Sequence, residues 1–288
     1  MTALPESLSN QKFELNSLNR PRLTVTDESK SSNQPGFMPI GKKNSTEVPF
    51  IPLAKIRKTI GQKIGEGCFG TIYRVTDSIP QRVYKIIPEE AFQNGNEIRI
   101  TKIAAKTGVT PAFHNAFLVQ FKNENRVFLE MAYAGKSLDQ LMEEDKNNPP
   151  LTQQAEEEEI DLSADYSAIS AIMRIEKASM EAAIDKLYEK REDFYFELFS
   201  NLKILAENNI SYMDSACGNI IPGNGAEKSL QLIDFDSAIF AESQETAAQG
   251  TIQSPCNQQH MNDFCKIKNL SDKSQELIKW FKSYARDL

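Results

Sequence analysis

From about residue 56 the chain alternates short β-branched apolar runs with turn residues. The runs at 59–64, 71–76 and 82–87 are separated by Gly- or Pro-containing turns and predict strands of an antiparallel sheet. Over 96–106 the period changes. Ile98, Ile100, Ile103 and Ala104 recur near helical spacing and predict a helix. Strands are predicted again at 117–121 and 126–131, joined by the polar turn 122–125. Residues 143–165 are polar and acidic, with Pro149, Pro150 and glutamates at 156–159, and read as a loop or solvated insertion. Helical periodicity returns over 166–190 through Ile172, Ile175, Ala183, Ile184 and Leu187. It continues through Phe194, Leu198, Leu202 and Leu205, so 193–208 predicts a well-buried helix. Two short strands, 220–221 and 229–233, flank a turn at 222–225. The remaining residues read as polar until a closing helix over 271–285. No internal repeat is visible.

Ahead of this pattern, residues 1–50 are rich in Ser, Asn, Pro and charge. Their isolated apolar residues bury too little surface to offset ordering entropy, so they predict a disordered leader. The bulk composition adds three exclusions. With 288 residues, 40% hydrophobic and 25% charged, the chain reads as an ordinary globular protein. A net charge of -7 argues against a generic nucleic-acid or membrane-surface binder, which needs a basic face. No apolar run approaches the length of a membrane span, and the N-terminal residues show no apolar signal-peptide core. The cysteines, Cys68, Cys217, Cys256 and Cys265, lack paired spacing, which fits a reducing compartment. Cys256, His260 and Cys265 offer three metal-ligating side chains, at a spacing that matches no zinc pattern.

Four segments carry candidate chemistry. In Ile64-Gly65-Glu66-Gly67-Cys68-Phe69-Gly70-Thr71-Ile72 the glycines form G-x-G-x-x-G. A dinucleotide fingerprint opens a helix, whereas here a β-branched strand follows, so the glycines sit in a hairpin whose bare backbone can lie over a polyphosphate. A plain glycine hairpin is the alternative. Next, Lys85 stands inside the apolar run Val83-Tyr84-Lys85-Ile86-Ile87, where burial is costly unless the charge is paired. Glu97, at the start of the predicted helix, is the candidate partner. Glu89 and Glu90 are alternatives, and a snorkelling surface lysine is the plainer reading. Third, Asp214 and Asn219 stand five apart after a buried helix and before a short apolar strand. Fourth, Asp234 directly follows the apolar run Leu232-Ile233.

Taken in order, these segments resemble the protein-kinase superfamily over about residues 58–240. The resemblance implies an α+β fold with two lobes: a β-rich N-lobe at about 56–131 and a reduced, mainly helical C-lobe at about 135–288, together spanning 51–288. An insertion occupies about 143–190. It implies ATP held under the glycine-rich loop by Ile64, Gly65, Gly67, Gly70 and Ile72. Lys85 would lie on the phosphates, braced by Glu97. Asp214 would orient the acceptor hydroxyl, and Asn219 and Asp234 would hold Mg²⁺ or Mn²⁺ as hard oxygen ligands. The run Phe128-Leu129-Glu130-Met131-Ala132-Tyr133-Ala134-Gly135 resembles a hinge. There the backbones of Glu130 and Ala132 would bind adenine, with Leu129 as gatekeeper.

Three departures qualify the likeness. Tyr212-Met213 replaces the usual His-Arg before the catalytic Asp, which predicts activity without loop phosphorylation or control by a partner. Asp236 replaces the Gly of D-F-G, and an I-D-F-D run is also common in aminoglycoside- and choline-kinase-like enzymes. Only 54 residues follow Asp234 and no A-P-E is present, so the usual peptide platform is missing or rebuilt. A short C-lobe with a polar leader and an Asn262-Asp263-Phe264 segment is similar to the minimal kinase effectors of bacterial type III secretion. Asp263 would then correspond to the helix Asp that braces the catalytic loop. That likeness implies an ATP-dependent Ser/Thr protein kinase, secreted by a non-classical route into host cytoplasm and otherwise cytoplasmic. It would act on host proteins, with a ubiquitin-conjugating enzyme as one conceivable partner and no nucleic acid. A small-molecule kinase and a pseudokinase binding module are the alternatives.

Overall fold

The computed structural model describes residues 37–40, 46–67, 70–89, 92, 95–121, 124–147, 165–223 and 229–285. All of them fall in one compact unit, Pro35–Leu288. The leader before residue 37, the glycine-loop tip at 68–69, Glu90, and the acidic stretch 148–164 lie outside the described residues.

The organising element is a five-stranded antiparallel sheet. Its strands are β3 (Ile60–Gly67), β4 (Gly70–Val75), β5 (Arg82–Pro88), β6 (Phe113–Phe121) and β7 (Glu124–Ala132), in spatial order β3-β4-β5-β7-β6. Successive side chains leave opposite faces of a strand. On one face Ala116, Leu118, Val127 and Leu129 pack with Ile87 and with Ile98 of α2 (Asn96–Thr107). On the other, Phe117, Val119 and Phe128 pack with Tyr84, Val75 and Ile56 of α1 (Leu53–Ile56). Both faces are covered, which explains why the central runs read as continuous apolar stretches.

The leader expected to run to residue 50 ends earlier than that. β1 (Phe37–Ile40) pairs with β2 (Thr46–Pro49). Val48 is buried against the α2 side of the sheet, and Phe50 bridges to Leu118 on the edge strand β6. An apolar valine and phenylalanine that cover an open sheet edge supply the burial that the composition of the leader as a whole hides.

The remaining helices build a second body of core. α3 (Leu138–Asn147) takes up residues 143–147, which were expected to be loop. Its amphipathic start, Leu138 and Met142, is buried and carries the helix into the acidic stretch. α4 (Asp165–Leu187) and α5 (Arg191–Glu207) are separate helices, broken near Tyr188. α5 buries Phe194, Tyr195, Leu198, Phe199, Leu202 and Leu205, as its spacing predicts. Three two-residue strands follow: β8 (Ile210–Ser211), β9 (Ile220–Ile221) and β10 (Gln231–Leu232). β9 pairs with β10, while β8 pairs with β11 (Ile239–Phe240).

The stretch read as polar coil contains two helices, α6 (Gln244–Gln253) and α7 (Pro255–Cys265), before α8 (Asp272–Lys282). Each has a serine N-cap whose hydroxyl accepts a backbone N–H: Ser243 from Thr246, Ser254 from Asn257 and Ser271 from Ser274. Beside Ile252, Met261 and Phe264, α6 and α7 bury small or polar residues, Ala247, Ala248, Thr251, Asn257 and His260, so their apolar period is sparse and easily passed over.

Phe199 sits at the centre of this body, 5.8 Å from the Phe264 ring and 5.3 Å from Phe281. Phe199→Ala is expected to lower the unfolding free energy by about 3–5 kcal/mol, through lost transfer energy and the cavity left behind. Urea unfolding followed by tryptophan fluorescence measures it.

Candidate functional site

Strand register places one row of residues across the sheet. Gly65 on β3 faces Ile72 on β4, Ile72 faces Lys85 on β5, Lys85 faces Leu129 on β7, and Leu129 faces Ala116 on β6. Directly opposed residues share a face, so Lys85 projects toward α2. Gly67 opposes Gly70 where the hairpin narrows. A Cβ on Gly70 would meet the Ile86 carbonyl oxygen at 2.9 Å, so packing requires that glycine. A Cβ on Gly65 would make only ordinary contact, and one on Gly67 would meet nothing nearer than 4.0 Å. Ile64, half-buried in β3, accepts a hydrogen bond on its carbonyl from the Gln140 side chain of α3 at 3.4 Å.

Lys85 is 5% exposed. Its Nζ donates to Glu97 Oε1 and to Asp234 Oδ1, each at 2.6 Å. Burial works against the ammonium, but the Glu97 and Asp234 carboxylates overcome it and hold the group above the ordinary lysine range. Burial also pushes the Glu97 carboxyl up, against the pull of the Lys85 charge. Glu97 stands in the first turn of α2, where the helix dipole favours a carboxylate. Asp234 has φ 62°, a left-handed conformation that a non-glycine residue adopts only where its surroundings hold it.

The segment after α5 brings the other predicted residues to Asp234. The Asn219 side-chain amide donates to the Asp214 carbonyl at 3.1 Å, closing a loop that ends in a 3-10 turn, Cys217–Asn219. The Asn219 carbonyl accepts from the Ile233 N–H at 2.9 Å. Asp214 and Asn219 are therefore linked through consecutive hydrogen bonds to Ile233, the residue before Asp234. Tyr212 anchors the entry to this loop. Its hydroxyl donates to the Ile233 carbonyl at 2.7 Å, and its ring meets Phe235 edge-on at 5.2 Å. Burial pushes the phenol far above its usual range, so it remains a donor.

α6 and α7 hold the loop from behind. Thr251 Oγ1 accepts the Tyr212 N–H. Asn257 Nδ2 donates to the carbonyls of Tyr212 at 2.8 Å and Thr251 at 2.7 Å, while its Oδ1 accepts from the Ser215 hydroxyl. His260 Nε2 donates to the Ser215 carbonyl at 3.0 Å, which fixes the tautomer. α6 approaches closely enough that a Cβ on Gly250 would overlap Ser211 Oγ at 2.5 Å. Thr251, Asn257 and His260 were not singled out for this work. The Ser-Pro pair at Ser254-Pro255, an N-cap followed by proline at N1, was the available signal.

Several sequence expectations change. The Glu130 backbone lies between two paired neighbours, Tyr84 and Asn115, and its carboxylate pairs with Arg82 at 2.9 Å. The Ala132 N–H is committed to the Ala112 carbonyl at 2.8 Å. Neither is placed for a ligand in the way the hinge likeness implied, because β7 is an interior strand to its last residue. Leu129 is buried beside Ile98, behind Lys85, while Met131, opposite Val83 on the same face, stands half-buried two residues on. Asp263 does not brace the loop. It pairs with Lys177 on α4 and accepts from Gln259, and Asn257 occupies the bracing position instead. Cys256, His260 and Cys265 form no metal cluster: among the described residues no group of three or more His, Cys, Asp or Glu side chains is arranged to hold a metal ion. Asp236, two residues after Asp234, has its carboxyl raised by burial and by the neighbouring Asp234. Among the described residues no helix is long and apolar enough to cross a membrane.

No protein-family model matches the chain, and no curated protein matches it.

Asn257→Asp keeps the shape but turns an amide donor facing two carbonyls into an acceptor. It is expected to cost about 2–5 kcal/mol of stability by urea unfolding. His260 gives a pH signature. Burial holds its imidazole below the ordinary value of about 6.5. The native state resists protonation that the unfolded chain accepts. Stability is therefore retained above pH ~6.5 and falls as pH drops through the lowered value. His260→Gln is expected to flatten the melting-temperature profile between pH ~7 and ~5 relative to wild type.

Proposed function

We propose that the chain is an ATP-dependent phosphotransferase with a bilobal, protein-kinase-like arrangement. In this reading the sheet with α2 forms the N-lobe and α3 to α8 form a reduced C-lobe. The observation that carries the proposal is the buried Lys85, held between a helix glutamate and an aspartate. Ile233, the residue before that aspartate, is in turn hydrogen-bonded to the Asp-x-x-x-x-Asn loop. A fold gains little from burying an ammonium between two carboxylates, since replacing such a triad by apolar residues is often neutral or stabilising. Two of the glycines support the same reading. Among the described residues packing does not require Gly65 or Gly67, which leaves their bare backbone open to a ligand lying against the hairpin from outside.

In this site the Lys85 ammonium stays charged and faces the phosphates, oriented by Glu97. Asp214 accepts the proton of an incoming hydroxyl and aligns it with the terminal phosphate. Because the Asn219 amide nitrogen is spent on the Asp214 carbonyl, its amide oxygen is the atom left to act as a ligand. The donor set of that oxygen and the Asp234 carboxylate is hard and fits Mg²⁺ or Mn²⁺, with substrate phosphates and water completing the shell. Such a metal would neutralise charge developing on the transferred group. Adenine would be read by the segment leaving β7 past Tyr133, since the Ala132 and Tyr133 N–H groups donate to the Ala112 and Gln81 carbonyls. The favoured acceptor is a protein Ser or Thr, in keeping with a secreted effector acting in a host cell.

A second reading has one observation behind it. Residues 235–243 alone connect Asp234 to α6, and they include β11 (Ile239–Phe240), paired to β8. A connection so short leaves no extended platform for a peptide, which favours a small-molecule acceptor.

The deciding experiment is transfer from γ-labelled ATP with Mg²⁺ or Mn²⁺, for the protein alone and with eukaryotic lysate. Label on protein is expected with wild type. Lys85→Ala and Asp234→Ala are expected to lower it by about 10²–10³-fold or more. Wild type that leaves protein unlabelled but phosphorylates an aminoglycoside, choline or sugar would establish the second reading. No transfer to any acceptor would overturn both.

A further inference from the structure

Helix α2 carries Glu97, yet most of what ties it to the segment around Asp234 lies outside the site. The Val109 carbonyl, just past the α2 C-cap Gly108, accepts the Leu232 N–H at 2.8 Å. Arg99, two residues after Glu97, stacks its guanidinium over the Phe240 ring at 4.8 Å. Leu232 precedes Asp234 and Phe240 follows it, so α2 is fastened on both sides of that carboxylate. The first tie is backbone to backbone. The second is made by side chains alone. Arg99 is exposed and Phe240 half-buried at the edge of the core that also holds Ile100 and Ala104 of α2, so the stacking adds a side-chain tie to that apolar packing. Phe240 is aimed by β11, whose partner β8 leads directly into Tyr212. A shift of α2 away from β11 would draw Glu97 off Lys85 while the loop stayed in place.

We propose that Arg99 and Phe240 are positioning residues that keep α2 docked on β11 and thereby keep Glu97 paired with Lys85. Their effect on phosphoryl transfer rests on the phosphotransferase reading, but their effect on the Lys85 pairing does not. The tie acts on a short, strand-paired connection in which Ser243 caps α6. The assembled arrangement is therefore built into the folded chain and does not wait for a loop to be ordered.

The test reads Lys85 directly. Full-length protein without nucleotide is treated with trinitrobenzenesulfonate. Modification of Lys85 is followed by peptide mass mapping and normalised to the exposed Lys279. Arg99→Ala and Phe240→Leu are each expected to raise Lys85 modification by about fivefold, the factor an exposed cation–π contact is worth. The double variant is expected to go no further than either single one, because both remove the same tie. Arg99→Lys and Phe240→Trp, which keep a cation and a ring, are expected to stay near wild type. In the transfer assay the first two variants are expected to lower kcat by a similar factor with KM for the acceptor unchanged. Lys85 modification at the wild-type rate in both single variants overturns the proposal, even if transfer falls. So does an equal rise at every lysine, which reports loosening of the whole fold. If wild type shows no transfer, the labelling result still decides the positioning role.

Discussion

The ammonium of Lys85 is the constraint around which the rest is arranged. A lysine at 5% exposure cannot remain charged without partners, and its partners come from distant parts of the chain. Glu97 arrives on α2 and Asp234 at the end of β10's strand segment, each with an oxygen 2.6 Å away. Removing one partner of such a buried set typically costs about 3–5 kcal/mol, because the remaining charges are left uncompensated. The set therefore works as a latch. It is favourable only when sheet, helix and loop are assembled together, and it fixes the register among them more than it adds net stability.

Behind the latch the chemistry turns neutral. Asn257, Thr251, Ser215 and Tyr212 hold the Asp214 loop through uncharged donors and acceptors. An amide that donates twice and accepts once needs no counter-ion. The Tyr212 hydroxyl, pushed up by burial, does not titrate near neutrality. The loop geometry is thus insensitive to pH over the neutral range, and His260 is the group through which acid can reach it. Placing charge only where a phosphate or metal would meet it, and neutrality where shape alone must be kept, limits desolvation cost to the atoms that face a ligand.

What the sequence disclosed follows from what each residue does to a pattern. The five strands and α2 were legible because both faces of the sheet are apolar, so β-branched runs stand out between turns. Lys85, Glu97, Asp214, Asn219 and Asp234 were legible as charged or polar residues interrupting such runs at telling intervals, and the fold draws them together. The edge-covering Val48 and Phe50 were hidden in a polar leader. α6 and α7 were hidden because most of what they bury is alanine, threonine, asparagine and histidine, which leaves only Ile252, Met261 and Phe264 to mark a hydrophobic period. The backbones of Glu130 and Ala132, expected to be open to a ligand, are taken up instead because register is set by strand pairing. Nothing local in the run from Phe128 to Ala132 says that β7 stays enclosed through Ala132.

The small residues of α6 are themselves the reason the site can be built so compactly. Glycine inside a helix costs roughly 1 kcal/mol relative to alanine. Here Gly250 lets the helix come within contact of Ser211, where a side chain would strike its hydroxyl. That approach puts Thr251 in reach of the Tyr212 N–H and sets the start of α7, from which Asn257 and His260 reach the loop. With Asp234 joined to α6 by residues 235–243 alone, any lengthening of that connection would move the helix that braces Asp214. The loop, the carboxylate and the brace are consequently one mechanical unit.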